Sequence, residues 1–252
     1  MGDPVRILVI NPNTSPDMTA LVMRVLEPLA PAGVVLSSAT GRFGARYISS
    51  RSAAAIAGHA ALDCYAEHGG ECDAVYLACF GDPGLLALKE FARVPVIGMA
   101  EASCIIAARQ AERFSIVTGG ERWGPILREF VASLGLGEGL AAVETVAPTG
   151  GEIARDPDAA IALLAQACRL TAERDGAGAV ILGGAGLAGL AARVQPLVDI
   201  PVICSVEAGF GAVMASAASP PAKPAAGDLA FPAPVESLAL APALAALLAR
   251  PE

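Results

Sequence analysis

The sequence predicts an α/β protein made of two parallel-sheet lobes that arose by internal duplication, with the active site in the cleft between them. Short β-branched runs alternate with alanine-rich helical stretches along 252 residues, a pattern typical of parallel strands covered by helices on both faces. Several blocks of the first half recur in the second half in the same order. Polar and glycine-rich turns follow the predicted strands, at the edge where parallel α/β sheets bind ligands.

Eight strands are predicted, each a short apolar run bounded by turn residues. They cover residues 6–10, 34–38, 74–78, 94–97, 114–118, 142–146, 179–183 and 201–204. Helices are predicted over residues 16–29, 52–68, 83–92, 158–174 and 206–216. The first helix opens with Ser15-Pro16-Asp17, where a capping serine, a proline in the first turn and an acid each favour a helix start.

An internal repeat predicts the domain organisation. Residues 94–102, Val-Pro-Val-Ile-Gly-Met-Ala-Glu-Ala, match residues 200–208, Ile-Pro-Val-Ile-Cys-Ser-Val-Glu-Ala, 106 positions later. Two further matches join 74–79 to 179–184 and 6–11 to 113–118, at offsets of 105 and 107 positions. Three blocks at nearly one spacing predict two duplicated lobes. We expect residues 1–98 plus 205–252 to form the first lobe with a C-terminal extension, and 99–204 to form the second.

The C-terminal extension has a composition of its own. Residues 219–234 are rich in proline and alanine, which predicts an extended connector. Residues 238–248 are apolar and favour a short packing helix, although Pro242 argues against a continuous one.

Composition excludes several classes of function. A formal net charge of −8 argues against nucleic acid as a partner, because phosphate binding needs a basic footprint. The longest uncharged stretch, 176–192, holds six glycines and is too short to cross a membrane. The N-terminal apolar run is too short for a secretory signal. Scattered cysteines then favour a reducing, cytoplasmic location, and the alanine-rich apolar surface favours a homo-oligomer.

The residues expected of a metal or nucleotide site are missing from the pattern. Six cysteines form no CxxC pair, and the sequence has only two histidines, so we expect no metal site. The run Gly183-Gly-Ala-Gly186 fits neither the dinucleotide fingerprint nor the P-loop pattern. We therefore expect no metal and no nucleotide cofactor.

Cys79 is the leading candidate for a catalytic residue. It follows a predicted buried strand and opens Cys79-Phe-Gly-Asp-Pro-Gly84 ahead of a helix. Backbone amides at a helix start would lower its thiol pKa, and a thiolate there could act as a base or a nucleophile. The alternative is an inert core cysteine, which is the interpretation favoured for the other five, with Cys204 the least certain.

Polar groups cluster after the first strand of each lobe, in Asn11-Pro-Asn-Thr-Ser15 and in its counterpart Thr118-Gly-Gly120. Amides, hydroxyls and main-chain N–H groups in such loops can bind a carboxylate or a carbonyl oxygen. Ordinary capping of a helix by Ser15 is the alternative. The expected substrate-binding residues are Asn11, Thr14, Ser15, Phe80, Gly81, Thr118, Gly119, Gly120 and Ala185.

These motifs resemble the Asp/Glu/hydantoin racemase superfamily, and its hydantoin racemase branch in particular. The resemblance is carried by residues 7–15, 78–84 and 94–98, with support from 113–118 and 179–183. It implies two flavodoxin-like lobes, no cofactor, and two cysteines that exchange protons with the α-carbon from opposite faces. It further implies that Cys79 is the first of these cysteines, and that Asn11, Thr14 and Thr118 hold the polar end of the substrate.

The sequence departs from the family pattern at the second cysteine. The family segment is Gly-Cys-Ala-Gly, whereas residues 183–186 read Gly-Gly-Ala-Gly, so the second catalytic position is Gly184. Glycine cannot exchange a proton, and a racemase therefore needs a substitute. Cys204 ends the next predicted strand and is the nearest by topology; Glu207, Glu101 and a bound water are the alternatives.

Three functions stay open at this point. The first is a cofactor-independent racemase or epimerase acting through cysteine on a hydantoin-like or amino-acid-like substrate. The second is a single-cysteine lyase similar to arylmalonate decarboxylase, or an isomerase, that protonates an enediolate from one face. The third is a non-catalytic binding protein. The expected partner in each case is a small molecule with a carboxylate or imide group.

Overall fold

The computed structural model describes residues 3–249, and the outermost parts of the expected first lobe, 1–2 and 250–252, lie outside the described residues. Within that range the strands form two four-stranded sheets. Every pairing between neighbouring strands is parallel. The predicted α/β class with parallel sheets is therefore confirmed.

The two sheets have the same strand order. The first contains β1 (Val5–Asn11), β2 (Val34–Thr40), β3 (Ala74–Leu77) and β4 (Val96–Gly98). The second contains β5 (Phe114–Gly119), β6 (Leu140–Val146), β7 (Ala179–Leu182) and β8 (Val202–Cys204). Their orders are β2-β1-β3-β4 and β6-β5-β7-β8. The same order in consecutive halves of the chain confirms the duplication that the repeat predicts.

Ten helices flank the sheets in the described part of the chain. They are α1 (Pro16–Leu26), α2 (Arg51–His68), α3 (Leu85–Phe91), α4 (Met99–Gln110), α5 (Trp123–Ser133), α6 (Gly150–Arg155), α7 (Pro157–Asp175), α8 (Ala191–Val194), α9 (Ser205–Ala218) and α10 (Pro242–Leu248). The sequence pattern does not predict α4, α5, α6 and α8. Both α4 and α5 begin without a side-chain cap, so they lack the usual start signal.

Helices α4 and α9 each cover the sheet of the other lobe. Helix α4 follows β4 but packs against β7 and β8, whereas α9 follows β8 but packs against β3 and β4. The two helices also pack against each other. One hydrophobic cluster consequently runs through both lobes and fixes the carboxyl ends of the two sheets relative to each other. This packing supports our proposed division into 1–98 with 205–252, and 99–204.

The C-terminal extension lies along the first lobe. Its irregular segment is held by Lys223, whose Nζ donates to the carbonyl oxygens of Lys89 and Glu90 and lies 4.6 Å from the ring centre of Phe231. Helix α10 packs against α2. Pro242 stands at the start of α10 rather than inside it, a position where its missing N–H costs nothing. No described helix has the length and apolar character needed to cross a membrane.

Candidate active site

A cleft of about 60 Å³ lies between the carboxyl ends of the two sheets. Loops that follow the strands of both lobes form its walls, as expected for parallel α/β folds. Its first-lobe wall is formed by Asn13, Met18, Tyr47, Ile48, Ala78, Cys79 and Phe80. Its second-lobe wall is formed by Thr118, Gly119, Trp123, Gly150, Gly151, Gly183, Gly184, Ala185, Gly186 and Leu187.

Cys79 lies in this cleft, two residues after the end of β3, and its residue surface is 9% exposed. Its carbonyl oxygen accepts a hydrogen bond of 3.0 Å from the backbone N–H of Asp82, which closes the turn that leads towards α3. All six cysteines are free thiols. Cys79 is the only one of them among the described residues that line the cleft.

The prediction that the Cys79 thiol has a lowered pKa is wrong. Helix α3 begins only at Leu85, beyond the end of the turn, so its first amides do not stabilise a thiolate at Cys79. Burial, with the carboxyl group of Asp82 as a second cause, raises the pKa of the Cys79 thiol to about 12. Near neutral pH the thiol is therefore mostly protonated: it can donate a proton directly, but it can take one only through the small fraction that is thiolate.

Gly184 stands in the opposite wall of the cleft. Its backbone φ is +133°, a conformation that side chains of L-residues rarely adopt. A Cβ atom added there would lie 3.6 Å from Leu187 Cδ1 and 3.8 Å from Thr118 Oγ1, which is ordinary contact distance. The wall facing Cys79 thus has room for a small side chain, and only the backbone conformation opposes one.

The structure does not bring the proposed substitutes for a second thiol into the cleft. Cys204 is buried at the end of β8 and is not among the residues that line the cleft. Its sulfur lies beside the backbone of Gly189, Val206 and Glu207, at the first turn of α9. Glu207 is exposed and Glu101 pairs with Lys89, and neither lines the cleft. Cys204 therefore has a packing position and no access to a substrate in the cleft.

The expected substrate-binding residues divide into two groups. Phe80, Thr118, Gly119 and Ala185 line the cleft, whereas the remaining five do not. Those five are Asn11, Thr14, Ser15, Gly81 and Gly120.

The five residues outside the cleft support its walls. Asn11 is fully enclosed, and its Nδ2 donates to Asn13 Oδ1 at 2.9 Å and to Thr19 Oγ1 at 3.0 Å. Thr14 donates its backbone N–H to the carbonyl oxygen of Ala45 at 3.1 Å. A Cβ atom at Gly81 would lie 2.8 Å from the Trp123 ring, so this glycine allows Trp123 to pack close to the Cys79 turn.

Asn13 contributes a polar side chain to the cleft, although it is not among the substrate-binding residues that the sequence predicts. Its Oδ1 accepts hydrogen bonds of 2.9 Å from Asn11 Nδ2 and from the backbone N–H of Ser15. These two bonds fix the orientation of the amide. Within the described residues Nδ2 donates no hydrogen bond, so it is the group left to bind an acceptor in the cleft.

Tyr47 and Trp123 are cleft residues that the sequence pattern does not reveal. Tyr47 lies in the loop between β2 and α2 and donates its hydroxyl proton to the Gly119 carbonyl oxygen in the second lobe, at 2.9 Å. Trp123 Nε1 donates to the same hydroxyl at 3.1 Å. Burial raises the pKa of the Tyr47 phenol. Tyr47 thus joins the two lobes across one side of the cleft, and its proton is already engaged.

The cleft is uncharged. None of its described lining residues is Lys, Arg, His, Asp or Glu. Nowhere in the described chain do three or more potential ligands gather in a way that could hold a metal ion. Cys79 and Tyr47 are the titratable side chains of the lining, and the other polar groups are Asn13, Thr118 and backbone amides. Such a surface suits a neutral ring with carbonyl and N–H groups better than a dicarboxylate.

Comparison with known proteins gives the same family from sequence and from structure. A family model described as Asp/Glu/Hydantoin racemase matches residues 7–213. A hydantoin racemase of Paenarthrobacter aurescens is 36% identical over 207 residues, covering 81% of this chain and 87% of that protein.

Two solved allantoin racemases share the whole fold. The enzyme from Klebsiella pneumoniae is 35% identical, with a TM-score of 0.85 over 96% of this chain and 98% of that one. The enzyme from Pseudomonas fluorescens is 26% identical, with a TM-score of 0.89 over 93% and 100%. A mutant of arylmalonate decarboxylase is 16% identical, with a TM-score of 0.64 over 90% and 98%, and shows a likeness of fold alone.

Proposed function

The chain belongs to the Asp/Glu/hydantoin racemase family and is an isomerase, and we propose that it is a cofactor-independent racemase or epimerase of a hydantoin-like substrate. In this proposal Cys79 transfers the proton at the α-carbon, the ring carbon that carries the substituent. The observation that carries the proposal is the single buried thiol of Cys79 in the wall of an uncharged cleft between the lobes.

The substrate class follows from the lining of the cleft. An amino acid or a dicarboxylate needs a cationic partner once it is removed from water, and no cationic side chain lines the described cleft. A hydantoin ring is neutral, and its carbonyl oxygens accept hydrogen bonds. Asn13 Nδ2 is placed to donate one, and the developing enolate oxygen would strengthen that bond. A cyclic imide or ureide is therefore the substrate class that we favour.

Proton transfer is unequal at the two faces of the substrate. Because Cys79 is mostly protonated near neutral pH, only the small thiolate fraction takes the α-proton on the Cys79 face, which gives an enolate and a neutral thiol. The neutral thiol then returns a proton to the carbon in the reverse step. On the Gly184 face no titratable side chain stands ready among the described residues, so a water molecule supplies the proton and leaves as hydroxide. A missing positioned acid or base slows this step about 10²–10⁴-fold.

A single-thiol lyase or isomerase is the second candidate, and Gly184 is the observation that favours it. A protonated Cys79 could deliver its proton to an enediolate from one face, with space for a leaving group beside Gly184. The uncharged lining weighs against it, because an arylmalonate carries two carboxylates. The racemase proposal accounts for both the thiol and the absence of charge among the lining residues.

The test is proton NMR in D₂O with the separate enantiomers of a 5-substituted hydantoin. We expect the α-proton signal to disappear with the wild-type enzyme, and Cys79→Ala to slow this exchange about 10²–10⁴-fold. Cys204→Ala is the matched control, since it removes another buried thiol that stands at the end of a strand but lies outside the cleft. It should retain the wild-type rate. Undiminished exchange in Cys79→Ala would contradict the proposal.

A parallel experiment with an aryl-substituted malonate separates the alternatives. Cys79-dependent release of CO₂, without hydantoin exchange, would assign the chain to the single-thiol lyases. Binding of a hydantoin without either reaction would assign it to non-catalytic binding proteins. Hydantoin exchange without CO₂ release is the result that we expect.

A further inference from the structure

Asp82 is a buried acid that the proposed reaction does not use. It lies in the turn that follows Cys79, is 3% exposed, and donates its backbone N–H to the Cys79 carbonyl oxygen at 3.0 Å. Its backbone φ is +45°, in the left-handed region that residues other than glycine seldom occupy. Such a conformation persists only where the surrounding structure holds it, and it is often found at functional sites.

The side chain of Asp82 is held by the first turn of α4. Its Oδ1 accepts the backbone N–H of Ala100 at 2.9 Å, and its Oδ2 accepts that of Glu101 at 2.7 Å. Gly98, the residue directly before α4, has no side chain with which to cap the helix. A Cβ atom at Gly98 would lie 2.2 Å from Asp82 Oδ2, so glycine is required for the carboxylate to reach this position. Charged acceptors at a helix start make strong bonds.

Several titratable groups face this carboxyl group from the elements packed around it. They are Cys79 in the same turn, Tyr76 in β3, Lys89 in α3, and Glu101 and Cys104 in α4. Lys89 and Glu101 form an ion pair with each other.

Burial dominates the acidity of Asp82. It raises the pKa of the carboxyl group to about 7, against the opposing effect of the two α4 amides. Glu101 raises this pKa further and Lys89 lowers it. Conversely, the charge of Asp82 raises the pKa of the Cys79 thiol. The two groups are therefore coupled, and ionisation of one disfavours ionisation of the other.

We propose that Asp82 is a positioning residue for Cys79: its carboxyl group ties the turn 79–84 to the start of α4 and so holds the thiol in its place in the cleft. This inference rests on the proposed role of Cys79. Helix α4 also packs against β7 and β8 of the second lobe. The anchor therefore fixes the distance from the thiol to the opposite wall, on which proton transfer depends steeply.

The test is the pH dependence of alkylation of Cys79 by iodoacetamide, followed by mass spectrometry of the Cys79 peptide, in wild type and in Asp82→Asn. We expect the midpoint of alkylation to fall by about 1 pH unit or more in the variant, because a nearby negative charge is removed. With a 5-substituted hydantoin we expect kcat, divided by the thiolate fraction that the alkylation profile gives, to fall about tenfold with little change in KM, because the thiol loses its fixed position.

Asp73→Asn is the matched control. Asp73 lies at the other end of β3 and also accepts a backbone N–H, that of Arg6, at 2.7 Å. The same substitution there neutralises an exposed carboxylate that accepts one backbone N–H far from the thiol, and should change neither the alkylation midpoint nor kcat. A folded Asp82→Asn variant that behaves like Asp73→Asn would overturn the inference.

The wild-type enzyme supplies a second test that depends on no variant. Thiolate alkylation accelerates tenfold per pH unit below the thiol pKa. Near pH 7, where Asp82 ionises, the thiol pKa rises and the profile should flatten before it climbs again. A straight profile between about pH 5 and 9 would overturn the coupling between Asp82 and Cys79. Neither alkylation result needs a substrate, so failure of the hydantoin reaction would be seen separately.

Discussion

The two lobes share a strand order but differ at three corresponding positions where a thiol or a carboxyl group could act. In the register of the repeat, the pairs are Cys79 and Gly184, Asp82 and Leu187, and Gly98 and Cys204. The first lobe places a thiol in the cleft and a carboxylate against the first turn of α4. The second lobe places a glycine in the cleft and a thiol beside the first turn of α9.

This difference explains the position of Cys204. Its counterpart Gly98 has no side chain, and Asp82 fills the space above α4. In the second lobe Leu187 lines the cleft instead, and the Cys204 sulfur occupies the corresponding place at the start of α9. Cys204 is therefore the equivalent of Gly98 and not a displaced catalytic thiol. In our proposal the first lobe carries the reactive group, while the second lobe shapes the wall that faces it.

The largest expected effect is on the pH dependence of stability, because only the first lobe buries a carboxyl group at this position. Burial holds the pKa of Asp82 at about 7, against an ordinary value of 3.8 for an aspartate, so the folded state binds the proton more tightly. The resulting stabilisation is complete below the unfolded pKa and is lost as pH rises to about 7. Asp82 should thus cost about 4 kcal/mol of stability between these limits.

Urea unfolding of wild type and Asp82→Asn across this range measures that loss. The free energy of unfolding of the variant, measured relative to that of wild type, should increase as pH rises from about 4 to 7. Asp73→Asn should leave the wild-type slope unchanged. Parallel curves for wild type and Asp82→Asn would show that the carboxyl group titrates normally.

Gly184→Cys tests whether the second lobe lacks only a thiol. A Cβ atom has room there, at 3.6 Å from its nearest neighbour, but φ of +133° opposes it. We expect racemisation of a 5-substituted hydantoin to rise about 10²-fold, the low end of what a positioned acid or base contributes. Chiral chromatography measures the rate. Gly184→Ala imposes the same backbone strain without a thiol and should give no gain; equal rates in both variants would refute this interpretation.

The sequence is informative about the fold because it contains the same pattern twice. Strand runs and the repeat are local features, and they are enough to predict two parallel lobes and to place Cys79 and Gly184 in one cleft. The repeat register also pairs Cys204 with Gly98, which is the signal that could have excluded Cys204 from the site. Tyr47 and Trp123 carry no such signal, because they reach the cleft only through packing between lobes.

The pKa of Cys79 shows most clearly what the sequence pattern cannot predict. A turn before a helix predicts a stabilised thiolate, but the turn ends at Gly84 and α3 begins after it. Burial then decides the direction of the shift. Burial of Cys79 depends on the second lobe, whose residues form the opposite wall of the cleft and lie far away in the sequence, so local pattern cannot predict it.

The proposal that only the first lobe supplies a protein group for proton transfer has a direct test. For each hydantoin enantiomer in D₂O, the rate of α-proton exchange is compared with the rate of inversion of configuration. Proton NMR measures exchange, and chiral chromatography of the same samples measures inversion. We predict that the enantiomer whose α-proton faces Cys79 exchanges with retention faster than it inverts, because the thiol returns a solvent deuteron to the same face. Exchange that occurs only with inversion, and equally for both enantiomers, would show a second protein acid opposite Cys79 and contradict the account.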